Sequence, residues 1–378
     1  MSARRRFARL SLFLVAFGAL AFALAPQRAE GAEKEVRRSQ ALQGVIEGAK
    51  KEGILKLQWL PGRLDGEAGL RPMVAEMNRM YGTNVKVQFT PGPNFPIMLN
   101  KITQEKAAGQ PSSTDINMMT SNHVVEGTKN GALKKMDWEA ILERPAPPGV
   151  DINRVASGGT AVMLASRIVG IPYNTNLVKG DDIPLSMEDV FKPKWKGKIA
   201  STPFATGLYQ FAAKDMLGYE YMKNYTIRLA GHIGGLIECA SIDRISSGEF
   251  AMLVFDCGHD DTLRYQKRGA PVAHTTVKEI ARINLLYLGV PVHAQHPNTA
   301  ALFINFMHTR EGQALQWERG GHDLHIYPEA HTRKPVQNVV DARGKLALDT
   351  VEREMSVGHE EVNQIRDEFV KIVKERGR

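Results

Sequence analysis

Residues 162–178 read VMLASRIVGIPYNTNLV, and residues 187–207 read MEDVFKPKWKGKIASTPFATG. The first stretch is a long apolar run rich in β-branched residues, the pattern of a strand buried on both faces. Pro172 and the cluster Asn174, Thr175 and Asn176 end or redirect it. Residues 191–197 form a polar connection bearing Pro193 and Gly197. A short strand starts over 198–201, and TPFATG (202–207) leads into a helix predicted over 208–217. This is the pattern of a strand leaving one lobe, followed by the first strand–loop–helix unit of a second.

Upstream, apolar periodicity predicts a helix over 40–52 closed by Gly53, a strand over 54–60, and a helix over 69–81 closed by Gly82. A strand over 85–89, a helix over 95–108 and a strand over 115–119 follow. This β-α-β-α-β order implies a parallel sheet with crossover helices. Residues 144–150, RPAPPGV, form a loop ahead of the crossing strand. Downstream, residues 283–290 are a second apolar run and the natural return strand, and 298–318 continue as helix. Val362, Ile365, Phe369 and Ile372 recur at helical spacing over 360–375, a core-facing stripe.

At these residues the sequence resembles a known family. GIPYNTNLV (170–178) and PKWKGKIASTPFATG (193–207) resemble the periplasmic solute-binding proteins of ABC importers, on the branch that includes the ferric-iron binders. SGEFAMLVFDCGHD (247–260) is similar to that family's strand and ligand-loop unit. HPNTAALFINFMHTREGQ (296–313) is similar to its Pro-Asn helix unit. The resemblance implies an α/β periplasmic binding protein of type II fold, with two lobes that are mostly parallel sheets flanked by helices and joined by two hinge strands. It places lobe 1 at 32–172 and 284–378, and lobe 2 at 173–283. It also implies a small-molecule solute captured in the interlobe cleft, an ABC permease as partner, a monomer, and no cofactor. In the resembled family a hydroxyl-plus-glycine turn holds the ligand's anion, and Thr206 and Gly207 match it. Two adjacent tyrosines hold iron in the ferric branch; Asp256 and Cys257 stand there instead, which argues against an iron function.

The chain has 378 residues, enough for two domains, with 43% hydrophobic and 24% charged residues. Arg4, Arg5, Arg6 and Arg9 precede an apolar run over 10–25, a signal-peptide pattern with cleavage expected near residue 31. Export to the periplasm follows, and the clustered arginines also resemble a twin-arginine signal. Loss of residues 1–31 removes five arginines and one acid, so the formal charge of +8 falls to +4. No basic cluster interleaved with aromatics remains, and nucleic acid is not an expected partner. Cys239 and Cys257 either form a disulfide in the oxidising periplasm or lie buried as small apolar groups.

Ligands of open α/β sheets bind beyond the carboxyl ends of strands. Four strand ends therefore supply candidates. The first offers Trp59 and Arg63, whose planar fork suits a carboxylate or phosphate; the second offers Ser121 and Asn122, which equally suit a helix cap. The third combines Thr206, Gly207 and Tyr209 at a loop leading into a helix. The fourth offers Asp256 and His259 as hydrogen-bonding groups; no metal ligand set is expected. A ferric receptor is the nearest alternative function. A hydrolase or metal-dependent enzyme using Asp256, Cys257 and His259, and a sensor-type binding module, are alternatives of other classes. Among catalytic motifs, GxSxG, HExxH, the Walker loop and CxxC are all lacking in the sequence.

Overall fold

Ser39 opens the first helix by accepting from Leu42 N–H, and α1 (Gln40–Glu52) stops at Gly53, where φ is 65°. β1 (Ile54–Trp59), α2 (Gly66–Tyr81) and β2 (Lys86–Pro91) follow, and β1 and β2 pair in parallel. α3 (Phe95–Ala107) is capped by Asn94 and leads to β3 (Asn117–Thr120). β3 approaches β1 only beside a single parallel bridge, Leu57 to Ile116. α4 (Ser121–Lys129), α5 (Trp138–Ile141) and α6 (Ile152–Ala156) bring the chain to β4 (Val162–Val169), which is buried at every position. In this computed structural model residues 38–341, 344–356 and 359–376 are described. The leader expected over 1–31 lies outside them.

The crossing strand breaks at Gly170, two residues before Pro172, and resumes as β5 (Ile171–Asn174). A Cβ on Gly170 would lie 2.3 Å from Thr275 O, so only glycine lets the two connecting strands pass this closely. Asn174 then makes the turn: its Oδ1 accepts from the N–H groups of Asn176 and Leu177 at 2.8 and 3.3 Å. The second lobe runs through β6 (Ile199–Ser201), α7 (Leu208–Phe211), α8 (Tyr219–Ala230), β7 (Gly235–Leu236), α9 (Ile242–Ser246), β8 (Met252–Leu253), α10 (Asp260–Lys267) and β9 (Val272–Thr275). Its five strands lie in the order β7-β6-β8-β5-β9. The helix expected over 208–217 is a single turn, because Leu217 N–H folds back to Phe211 O and closes a loop. Cys239 and Cys257 form a disulfide.

β10 (Ile280–Gly289) returns to the first lobe, antiparallel to both β4 and β3. α11 (Pro297–His308), α12 (Arg310–Gly320), α13 (Arg333–Asp341), β11 (Lys345–Leu348), α14 (Val351–Ser356) and α15 (His359–Arg376) complete the chain. β1 and β2 form a two-stranded parallel sheet of their own, built by a crossover unit, as is the parallel pair β6 with β8. The four-stranded sheet of β3, β4, β10 and β11 and the five-stranded sheet of the second lobe are mixed. Their antiparallel pairs come from the strands that cross between lobes, which enter each sheet against its direction. The tail expected with lobe 1 divides. Val351 joins the first core, whereas Phe369 and Val373 of α15 are fully buried in the second. The stripe read from the sequence is therefore core-facing, but toward the other lobe.

Gly170→Ala should separate the crossing strands at the expense of about 1–3 kcal/mol, the usual range for overpacking. Urea unfolding of the variant checks this; an unchanged midpoint would show that the crossing tolerates a Cβ.

Candidate functional site

β1 ends in Trp59, which is buried against Phe89 with ring centroids 6.0 Å apart and takes its place in the first core. The chain then turns through Leu64 and Asp65, both at positive φ (51° and 58°), and presents Arg63 to the second lobe. Arg63 Nη1 lies 3.0 Å from Asp260 Oδ2, at the start of α10. Arg167, on the crossing strand, reaches the other oxygen of Asp260 at 2.6 Å and Asp261 at 3.4 Å. Arg264 also pairs with Asp261, and its Nη1 donates to Gly62 O at 2.9 Å. His322 Nδ1 stands 3.6 Å from Asp260 Oδ2, too far for a good hydrogen bond. Burial pushes the Asp260 carboxyl up, but Arg167, with His322 and Arg63, outweighs it and holds the group well below the usual carboxylate range.

Asp256 Oδ1 and His259 Nδ1 are spent on main chain, while His259 Nε2 has no hydrogen-bond partner. Asp256 Oδ1 accepts from Gly170 N–H at 3.0 Å and Gly258 N–H at 3.1 Å, and Oδ2 faces His274 Nε2 at 3.3 Å. His259 Nδ1 accepts from Ile168 N–H at 3.0 Å. Both pin the loop after β8 to the crossing. Burial lowers His259 to about 3, so the ring is neutral. At the Thr206–Gly207 turn the exposed N–H groups that an anion would need are already engaged. Thr206 N–H donates to Thr202 Oγ1 at 2.9 Å and Gly207 N–H to Gln210 Oε1 at 2.8 Å. Gly207, at φ 79°, sits where a Cβ would meet Phe255 Cβ at 2.7 Å.

A polar cavity lies on the other side of the crossing. Ser121 and Asn122, at the start of α4, line it from the first lobe, and Tyr209 and Gln210, on α7, from the second. Arg282 of β10 lines it between them, with Asp349, Arg353 and Arg366 from the tail. Arg282 is only 9% exposed; one of its terminal nitrogens is 2.6 Å from Asp349 Oδ2, and its Nε has no partner. Burial raises Tyr209 above its ordinary value, so its hydroxyl stays a neutral donor.

Of the residues singled out in the sequence, Ser121, Asn122 and Tyr209 thus share one cavity. Arg63 is a member of the buried ion network and His259 lies beside it, Asp256 sits at the crossing, and Trp59, Thr206 and Gly207 serve local packing. Arg282 and Arg167 went unmarked, although each is the one charge inside an otherwise apolar or small-residue strand. The tail residues carried no comparable signal, because their approach to the cavity depends on where α14 and α15 pack.

Two α/β lobes joined by crossing strands, with a polar cavity between them, define a periplasmic binding protein. Residues 72–338 match the bacterial extracellular solute-binding protein family, and the chain belongs to it. In structure it is similar to the substrate-binding protein of an ABC transporter from Agrobacterium tumefaciens, with 15% identity over 88% of this chain and 96% of that one, TM-score 0.69. It is also similar to iron-bound HitA from Pseudomonas aeruginosa (18% identity, 84% and 99% covered, TM-score 0.60). The spermidine/putrescine transporter protein PotD from Streptococcus pneumoniae aligns comparably, with 15% identity, 84% and 99% covered, and a TM-score of 0.61. No curated protein matches the chain in sequence. The family is one of extracellular solute-binding proteins, and the Agrobacterium and Streptococcus neighbours are substrate-binding proteins of ABC transporters.

Asp260→Asn should cost about 3–5 kcal/mol of stability, because it leaves three guanidiniums facing a single carboxylate; a urea midpoint within error of wild type would contradict this.

A second expectation concerns acid. Burial holds His259 down at about 3 and His308 at about 4, whereas an unfolded chain returns both to about 6.5. The folded values are the lower ones, so the unfolded chain binds more protons below pH 6.5. Stability is therefore complete above that pH and falls as pH drops toward the folded values. At pH 5 each ring should cost roughly 2 kcal/mol. Urea unfolding at pH 7 and pH 5 measures it, and equal stabilities would mean that the rings take up protons in the folded protein.

Proposed function

We propose that this chain is the periplasmic substrate-binding component of an ABC importer for a small anionic solute. It acts by binding alone, as a monomer, and delivers the solute to the permease of the inner membrane. The observation that carries this reading is Arg282: a buried guanidinium with an unpartnered Nε, lining a cavity whose walls come from both lobes. A guanidinium holds a carboxylate or phosphoryl group through parallel N–H bonds. Arg282, Arg353 and Arg366 face Asp349 and Glu354 there, an excess of one positive charge. A solute touching Asn122 on one lobe and Tyr209 on the other favours the closed arrangement over an open one, which is the condition for closure by hinge rotation.

The ferric alternative finds less support. Asp256 is committed to the N–H groups of Gly170 and Gly258, and Cys257 to its disulfide. Among the described residues no three His, Cys, Asp or Glu side chains gather closely enough to hold a metal ion. The disulfide also removes Cys257 as a nucleophile, the group on which a hydrolase reading rested.

Titration of dialysed protein with phosphate, dicarboxylates, citrate, polyamines and ferric citrate tests the reading. Oxyanions should raise the melting temperature and polyamines should not. Arg282→Gln should weaken oxyanion binding about tenfold to a hundredfold, the worth of a charged hydrogen bond. Tyr209→Phe, which keeps the ring, should weaken it about fivefold. Binding of polyamines in preference to oxyanions would sink the proposal.

A further inference from the structure

The chain beyond β11 runs from one core to the other alongside the cavity. Val351 anchors α14 in the first core, where the helix packs on α4. Phe369 and Val373 anchor α15 in the second core, where it covers α7 and α8. α4 and α7 are the helices that bring Ser121, Asn122, Tyr209 and Gln210 to the cavity. Each tail helix therefore leans on one wall of it. Arg353 ties α14 across to the second lobe: its Nε and Nη2 reach Asp215 at 2.9 and 3.0 Å, and its Nη1 lies 3.5 Å from Asp349. Arg366, half-buried on α15, lines the cavity and, among the described residues, makes one ion pair, with its neighbour Asp367 at 3.0 Å.

We propose that α14 and α15 form a third wall of the solute site, and that Arg366 and Arg353 bind the solute's oxyanion head together with Arg282. This rests on placing the solute in this cavity. The chemistry points to a small molecule with a carboxylate or phosphoryl head and a neutral polar part that meets the amides of Asn122 and Gln210. The head needs more than one fork. Asp349 already takes up one terminal nitrogen of Arg282 and sits near Arg353, so Arg282 alone offers the solute only part of its donor set. Arg366 supplies the least encumbered guanidinium. The tail is also a third connection between lobes, beside β4–β5 and β9–β10, so the two tail helices must shift relative to one another whenever the cleft opens.

Calorimetry with inorganic phosphate and with citrate at low ionic strength tests the wall. Arg366→Ala should weaken binding about tenfold or more with an unchanged melting temperature, because the side chain contributes little to either core. Arg366→Lys keeps the charge but not the fork and should recover only part of the loss. Lys371→Ala removes the same charge from an exposed site on the same helix, away from the cavity, and should leave affinity unchanged. Equal weakening by Lys371→Ala would overturn the wall, since net charge would then explain both. Wild-type affinity in Arg366→Ala alongside weakening by Arg282→Gln would overturn the wall and leave the oxyanion cavity standing. Failure of the wild-type protein to bind either probe would overturn both.

Discussion

Asp260 and Asp261 are the point on which the two lobes depend. Two adjacent carboxylates, each almost wholly out of water, are tolerable only because three guanidiniums converge on them. The three come from different parts of the chain: Arg63 from the first lobe, Arg167 from the crossing strand and Arg264 from α10 itself. Such a cluster adds little net stability compared with apolar packing, but losing one member is expensive, because its partners stay buried. Its effect is to specify geometry. In the placement seen, the loop after β1 brings Arg63 to Asp260 and Gly62 O to Arg264.

This has a consequence for the cleft. On the side of the ion network, many polar groups at the strand ends are already committed, although His259 Nε2 and both ring nitrogens of His322 have no hydrogen-bond partner. Asp256 and His259 bind the main chain of the crossing, Arg63 binds Asp260, and the Thr206–Gly207 turn satisfies its own N–H groups. On the other side, Arg282 retains an unpartnered nitrogen and the lining is rich in amide, hydroxyl and guanidinium groups. A buried donor without a partner carries a desolvation penalty of about 1–3 kcal/mol, which a ligand acceptor removes on binding. What separates the proposed solute cavity from the structural core of the hinge is that its unpartnered nitrogen belongs to a guanidinium, not to an imidazole ring.

The polar crossing also explains why the four-stranded sheet of the first lobe and the five-stranded sheet of the second mix strand directions. The crossing strands must run into each lobe and back, so β10 lies antiparallel to β4 and β3 in one, and β5 antiparallel to β8 and β9 in the other. Gly170 and Asp256 hold the point where they pass. The disulfide from Cys239 to Cys257 fastens the loop after β8 to the segment between β7 and α9.

Local rules were enough for much of this protein. The apolar runs at 162–169 and 283–290, the caps at Gly53 and Gly82, and the alternation of strand and helix marked the two lobes and their crossing, because burial period and cap chemistry are properties of neighbouring residues. Ser121, Asn122 and Tyr209 were legible as cavity residues for the same reason: they sit just past strand ends. Side-chain partners were not legible. Nothing near Asp256 in the chain reveals that Gly170 claims its carboxylate, and nothing near Arg282 reveals Asp349. Cys239 and Cys257 could be weighed as a pair but not joined, since their Cα separation of 5.6 Å is a product of the fold. The apolar stripe of α15 announced a buried face without saying which core would bury it. Hydrophobic burial has no direction, so the choice of lobe, and with it the third side of the cavity, was made only by tertiary packing.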